Sequence, residues 1–218
     1  MNNIFPELNS NTYMNQIYVN QIKKIEAIHQ KKINIVIYQR DIKSLKRDIK
    51  ILTNKNIQFR SNGTKEEVLT NFDKELKNND ISIENIQKDL KKLLEIFESI
   101  TNSRIFRFHL LTVNNDMCSK FHTDVNDLRL LCTYSGKGTF WLPEEAVNRL
   151  NYNICKDDNE IILDDKLIQE ANTGDVLILK GALYPESNAV IHKSPSIEDS
   201  KSKRLLLRID TNENGIFI

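Results

Sequence analysis

The sequence predicts an α+β protein, one domain over residues 1–218, in which a mainly helical part at 1–103 packs on a β-barrel part at 104–218. Three observations predict it. Apolar residues recur at helical spacing as far as Ser103. From Arg104 onward they gather instead in short runs separated by turn residues. A length of 218 residues supports one substantial core.

The helical part begins with a stripe of Met14, Ile17, Tyr18, Ile22, Ile25 and Ile28. "INIVIY" (Ile33 to Tyr38) interrupts it as a short β-like run, and Ile42, Leu45, Ile49 and Leu52 make a second stripe. "TKEE" supplies a capping box, Thr64 with Glu67, that opens a helix through about Lys77. Ser82 is placed to cap the next helix, whose apolar face is Ile83, Ile86, Leu90, Leu93, Leu94, Phe97 and Ile100. The lysines between these stripes read as solvated faces.

In the β-rich part the runs are "RIFRFHLLTV", "LRLLCTY", "TFWLP", "NEIILD", "GDVLILKG", "AVIHKS" and "KRLLLRID". Closely spaced short strands argue for an antiparallel barrel or sandwich. "GKG" (Gly136 to Gly138) lacks the further glycines and following helix of a phosphate loop, so it reads as a hairpin turn. Phe140 and Trp141 read as core aromatics. Arg107 and His109 alternate with Phe106, Phe108 and Leu110, which sets a basic pair on one strand face. That pair binds an anion if the face lines the barrel interior.

Bulk properties remove several function classes. Lys and Arg number 31 against 30 Asp and Glu, so no net field favours a nucleic-acid partner. No apolar stretch approaches the roughly 18 residues of a membrane span. The opening "MNNIFPELNSNTYMNQ" lacks a basic start followed by an apolar run, so it does not read as a secretion signal. Three cysteines without repeat spacing do not make a disulfide framework, and a reducing cytoplasm is expected.

The chemistry centres on "CSKFHTDVND". Side chains two apart on an extended segment share a face, so His122 and Asp124 can face one ion together. A third ligand must come from elsewhere. His29 lies in the helical part and His109 upstream, which leaves His192, 68 residues past Asp124. Two histidines and one carboxylate in this order form the facial triad of non-haem iron, which keeps coordination positions open. Oxygenases that use 2-oxoglutarate with Fe(II) fill those positions with co-substrate and dioxygen, and they need a cation for the far carboxylate. In "KRLLLRID", Arg204 and Arg208 share one face and lie 12 and 16 residues past His192. The barrel expected for this chemistry is a double-stranded β-helix, cupin- or jelly-roll-like. Cys118, four residues before His122, offers a different ending: a thiolate beside His and carboxylate suits Zn(II), and four ligands would close a non-enzymatic zinc site. A third reading is a metal-free interaction module docking through its helices.

These residues resemble the bacterial family known as domain of unknown function 1826. The likeness rests on Cys118, Phe121, His122, Asp124, Arg129, Leu130, Thr133, Tyr134, Gly136, Gly138, Thr139, Trp141 and Leu142, then Lys180 and Gly181, then His192, Ser194, Pro195 and Arg204. Tyr38 and Arg40 fit its early segment, so the match spans most of 33–210. Lys193 and Ser196 depart from an Arg and a Pro in the family pattern, which weakens any anion contact from position 193. The resemblance favours Arg204 over Arg208 for the anion, and recommends Arg129, Tyr134 and Lys180 as cavity residues that position 2-oxoglutarate. It also implies a link to zinc-responsive gene neighbourhoods and metal-chaperone GTPases. The substrate expected is a small molecule or a protein.

Overall fold

The computed structural model describes residues 15–114, 118–154, 157–196 and 203–211. Among them the chain runs β1 (Gln16–Val19), a 3-10 helix (Ile22–His29), β2 (Ile35–Tyr38), α1 (Lys46–Asn54), β3 (Gln58–Gly63), α2 (Lys65–Asn78) and α3 (Asn85–Ser99). It continues through β4 (Phe106–Val113), β5 (Leu128–Ser135), β6 (Phe140–Leu142), α4 (Arg149–Ile154), α5 (Asp158–Ile161), β7 (Gln169–Glu170), β8 (Val176–Lys180), β9 (Ile191–Lys193) and β10 (Arg204–Thr211). The architecture is α+β. Seven strands form one sheet in the order β1-β2-β8-β5-β10-β4-β3, and three form a smaller one in the order β7-β6-β9. All pairings are antiparallel except β1 with β2.

Alternation along the central strands decides which layer each side chain enters. Leu128, Leu130, Cys132 and Tyr134 of β5, with Leu205, Leu207 and Ile209 of β10, face α1, α2 and α3 in the largest core. The intervening Leu131 and Leu206 face the other way, joining Ile35, Ile37, Leu111, Leu177, Leu179 and Trp141 between the sheets. A third cluster of Phe121, Leu142, Tyr152, Ile161 and Ile191 anchors α4, α5 and the loop before β5. Trp141 Nε1 donates to Gln16 Oε1 at 2.9 Å, tying the small sheet to the edge of the large one.

The first part is not simply helical: it gives the large sheet β1, β2 and β3, which occupy its two edges. The first stripe divides accordingly. Ile17 and Tyr18 lie in β1, whereas Ile22, Ile25 and Ile28 lie on a 3-10 helix, where residues three apart eclipse one another. Met14 lies outside the described residues. Thr64 and Glu67 form the capping box, opening α2 at Lys65. Ser82 does not cap α3, which starts three residues later; buried Asp48 of α1 does so through Oδ2, accepting from the backbone N–H of Asn85 (2.9 Å) and Ile86 (3.2 Å). "NEIILD" is another departure. Asp157 caps the short α5 by accepting from Asn159 N–H, and only Ile162 makes an extended bridge, to Val147.

Candidate metal centre

The loop carrying His122 and Asp124 is held at both ends. Phe121 is buried beside Ile191, and its N–H donates to Asp158 Oδ1 at 3.0 Å. Lys193 grips the same carboxylate at 2.9 Å and stands over the Phe121 ring. Further along, Gly181 N–H donates to Asp127 O and Ala182 N–H to Asp124 O. A Cβ at Gly181 would collide with the Asn126 carbonyl, so only glycine lets β8 pass this close behind the ligand loop.

Between these anchors His122 and His192 form a two-residue antiparallel bridge, with N···O distances of 3.0 and 2.9 Å in the two directions. Their rings lie 4.7 Å apart, tilted by 44°. Asp124 faces both: Oδ1 is 3.6 Å from His122 Nε2, and Oδ2 is 3.2 Å from His192 Nε2. One ligand atom from each residue lies within 4.8 Å of the others. Small side-chain rotations bring such donors onto one ion at bond lengths near 2 Å.

The tautomers follow from the partners. Nδ1 of His122 faces Lys120 O (3.0 Å) and Nδ1 of His192 faces Val190 O (3.2 Å). A carbonyl only accepts, so each Nδ1 carries the proton, and in the neutral ring the Nε2 lone pair points toward Asp124. Burial and the neighbouring His192 lower the pKa of His122, favouring that neutral ring. Burial opposes ionisation of Asp124, but His192, Arg129 and His122 outweigh it and hold the carboxyl well below the usual range. Two nitrogen lone pairs and a carboxylate thus converge, a donor set that suits a divalent cation.

Arg129 stands behind this set. Its Nη1 pairs with Asp124 Oδ2, and its Nε and Nη2 pair with Asp210. It therefore orients a ligand carboxylate; both carboxylates it pairs with belong to the protein. Arg204 differs from it. The residue is 2% exposed, and its guanidinium donates to three hydroxyls: Thr133 Oγ1 and Thr139 Oγ1 at 2.9 Å each, and Ser194 Oγ at 3.3 Å. Its Nε is buried without a hydrogen-bond partner, and no carboxylate among the described residues pairs with it. Burial pushes the guanidinium down to about 10. Arg208, on the same face, is ion-paired to Asp210 through Nε at 3.1 Å.

Two expected cavity residues point elsewhere. Tyr134 lies on the helix-facing side of β5, where its hydroxyl donates to Asp89 Oδ2 at 2.6 Å under the Arg40 guanidinium. Lys180 is buried on the same side of β8, donating to Gln30 O at 3.1 Å and standing over the Tyr184 ring. Parity explains both, because Thr133 and Leu179, one residue earlier, take the inner face. Cys118 is exposed and is not part of the ligand group, so the closed four-ligand zinc site lacks its fourth ligand. Sequence reasoning missed Asp210 and the hydroxyls of Thr133, Thr139 and Ser194. The alternation in "LRLLCTYS" carried the Thr133 signal, whereas Thr139, just before "FWL", and Ser194, just after "IHK", lie at strand ends where parity gives no reading.

Comparison with known proteins extends this geometry. No curated protein matches the chain. The solved dioxygenase for auxin oxidation 1 from Arabidopsis thaliana, a complex with 2-oxoglutarate, is similar in fold: TM-score 0.50, 10% identity, over 94% of this chain and 95% of that one. A full-length Neurospora crassa protein, solved in complex with alpha-KG, aligns at a TM-score of 0.44 and 12% identity over 88% of this chain and 79% of that one. The family described as "Protein of unknown function (DUF1826)" matches residues 20–210. A match of that extent, over the ligand loop, β9 and β10 alike, makes this chain a member of the DUF1826 family.

Proposed function

We propose that the protein is a non-haem Fe(II) oxygenase of the 2-oxoglutarate type, with His122, Asp124 and His192 holding the metal and Arg204 holding the distal carboxylate of 2-oxoglutarate. The observation that carries this reading is the Arg204 guanidinium: a buried cation with three hydroxyl partners and one orphaned N–H. A desolvated charge of this kind is costly unless an anion completes it. The orphaned Nε–H offers an incoming carboxylate oxygen a charge-assisted hydrogen bond while the three hydroxyls keep the guanidinium plane fixed. Ser194, which contacts that guanidinium, lies two residues past His192, which supports a metal and a cation acting on one co-substrate. The Arabidopsis neighbour in fold, solved with 2-oxoglutarate, supports the same assignment.

Bound iron would supply the activation of dioxygen coupled to decarboxylation of 2-oxoglutarate. The protein's own part is positioning. The Nδ1–H bonds to Lys120 O and Val190 O aim both Nε2 lone pairs, and Arg129 restrains the outer oxygen of Asp124. The hydroxyls of Thr133, Thr139 and Ser194 fix the Arg204 plane before co-substrate arrives. The test is elemental analysis of the purified chain, followed by incubation with Fe(II), 2-oxoglutarate and oxygen and assay of succinate. Iron retention and succinate formation are both expected to vanish in His192→Ala and to persist in Cys118→Ala. Equal iron content in wild type and His192→Ala would sink the proposal.

A further inference from the structure

Next to the candidate metal centre, the inner face of the large sheet carries, among the described residues, more positive charge than its carboxylates neutralise. Cross-strand register aligns Arg60 of β3, His109 of β4 and Arg208 of β10 in one row. The row beside it runs Asn62, Arg107, Asp210 and Arg129. Among the described residues of this face, Arg60, Arg107, Arg129 and Arg208 meet two acids, Asp124 and Asp210, and Asp124 belongs to the proposed ligand set. Asp210 is already shared between Arg129 and Arg208. Among the described residues no carboxylate pairs with Arg60 or Arg107.

Two details show that this excess is felt locally. Arg208 Nη2 lies 2.9 Å from His109 Nδ1; a guanidinium only donates, so His109 accepts and is a neutral ring. Burial, with Arg208, Arg60 and Arg107 nearby, keeps it so, pushing its pKa down to about 4. Arg208 Nε is buried and lies near Asp210 without the geometry of a hydrogen bond, an orphaned donor turned toward this face. The face is also close to the chemistry. Arg107 sits two strands from Arg129, about 10 Å at the usual strand spacing, and Arg129 contacts the ligand Asp124.

We propose that this face is the primary-substrate subsite and that the substrate is a small organic anion, its carboxylate or phosphate held by Arg107 and Arg208 with Arg60 at the edge. The rest of the molecule then extends over Arg129 toward the metal. This inference rests on the oxygenase reading for its purpose, but the anion site can be tested apart from it. The chain's overall charge is only +1, which favours a small anion over an extended polyanion.

The experiment is a titration of the full chain with inorganic phosphate and, separately, acetate, followed by calorimetry and phosphorus NMR, without metal and with Mn(II). In the metal-free chain, Arg107→Gln is expected to weaken binding of the preferred anion about tenfold, the loss of one charge-assisted hydrogen bond. Arg60→Gln, at an exposed position, keeps the test open should a half-buried variant misfold. Unchanged affinity in both variants overturns the proposal. With Mn(II) bound, the phosphorus signal is expected to relax faster, and the enhancement to disappear in Arg107→Gln. Phosphate that binds without enhanced relaxation, while His192→Ala abolishes manganese binding, places the anion far from the metal and overturns the subsite. Manganese that binds His192→Ala as well as wild type overturns the oxygenase reading instead, while the metal-free arm still decides the anion site.

Discussion

Replacing Arg204 by Met removes the cation of the proposed co-substrate site while keeping a long apolar stem. The native guanidinium is held by three hydroxyls at 2.9, 2.9 and 3.3 Å, so little rotamer freedom remains to be lost on binding. A carboxylate gains one hydrogen bond to a charged group through the orphaned Nε–H, about 1.5–3 kcal/mol. Its loss weakens 2-oxoglutarate binding roughly 10- to 10²-fold. Arg204→Lys keeps the charge but not the fork and falls between the two. The fold loses little, because a buried charge facing no carboxylate is exchanged for an apolar chain. The melting temperature stays within about 4 °C, the shift of roughly 1 kcal/mol in a chain of this size. Calorimetric titration of 2-oxoglutarate into the Mn(II)-loaded chain reads the effect without turnover. Wild-type affinity in Arg204→Met, or the loss appearing in Arg208→Met instead, refutes the reasoning.

Three other outcomes are expected. Asp48→Ala strips the cap from α3 by removing a buried acceptor of two backbone N–H groups, and costs about 1–3 kcal/mol, a fall of roughly 3–10 °C in the melting temperature. His109 has a folded pKa of about 4 against about 6.5 unfolded, so the unfolded chain takes up the proton first. Its contribution is complete above pH 6.5 and is lost as pH falls through 4; allowing for partial exposure it is about 1 kcal/mol. Thermal melts of His109→Gln are therefore expected to decline less than wild type from about pH 6.5 to about 4.5. Gly138→Ala drives a Cβ into the Ala171 carbonyl, and urea titration is expected to show a loss of about 2–4 kcal/mol, whereas tolerance of the change would place that turn wrongly.

What the sequence exposed and what it hid divide along physical lines. The juxtaposition of His122 and Asp124 was legible because an H-x-D spacing on extended backbone already fixes a shared face, and the structure brings His192 beside them. The same holds for the Thr64 capping box, whose partners lie three residues apart. Contacts between distant segments were not legible. Asp48 displaces Ser82 as the cap of α3 only because α1 and α3 pack together, and Asp210 becomes the counter-ion of Arg129 only through β5–β10 register. β3 was invisible because "QFRSNG" holds a single large apolar residue, Phe59; the strand forms as an edge against β4. Tyr134 and Lys180 came from the family resemblance, which carries no information on facing, whereas strand parity turned them toward the helices.

The paired backbone bonds between His122 and His192 bear on when the proposed metal site can form. A ribosome making this chain exposes His122 and Asp124 long before His192, and the third ligand arrives only with β9. Until the bridge closes, the emerging segment offers an imidazole and a carboxylate, too few donors to retain a divalent ion against cellular competitors. Capture at the proposed site is then a late step, possible only once β9 has paired beside β6. Selectivity there would follow which ions are available at that moment.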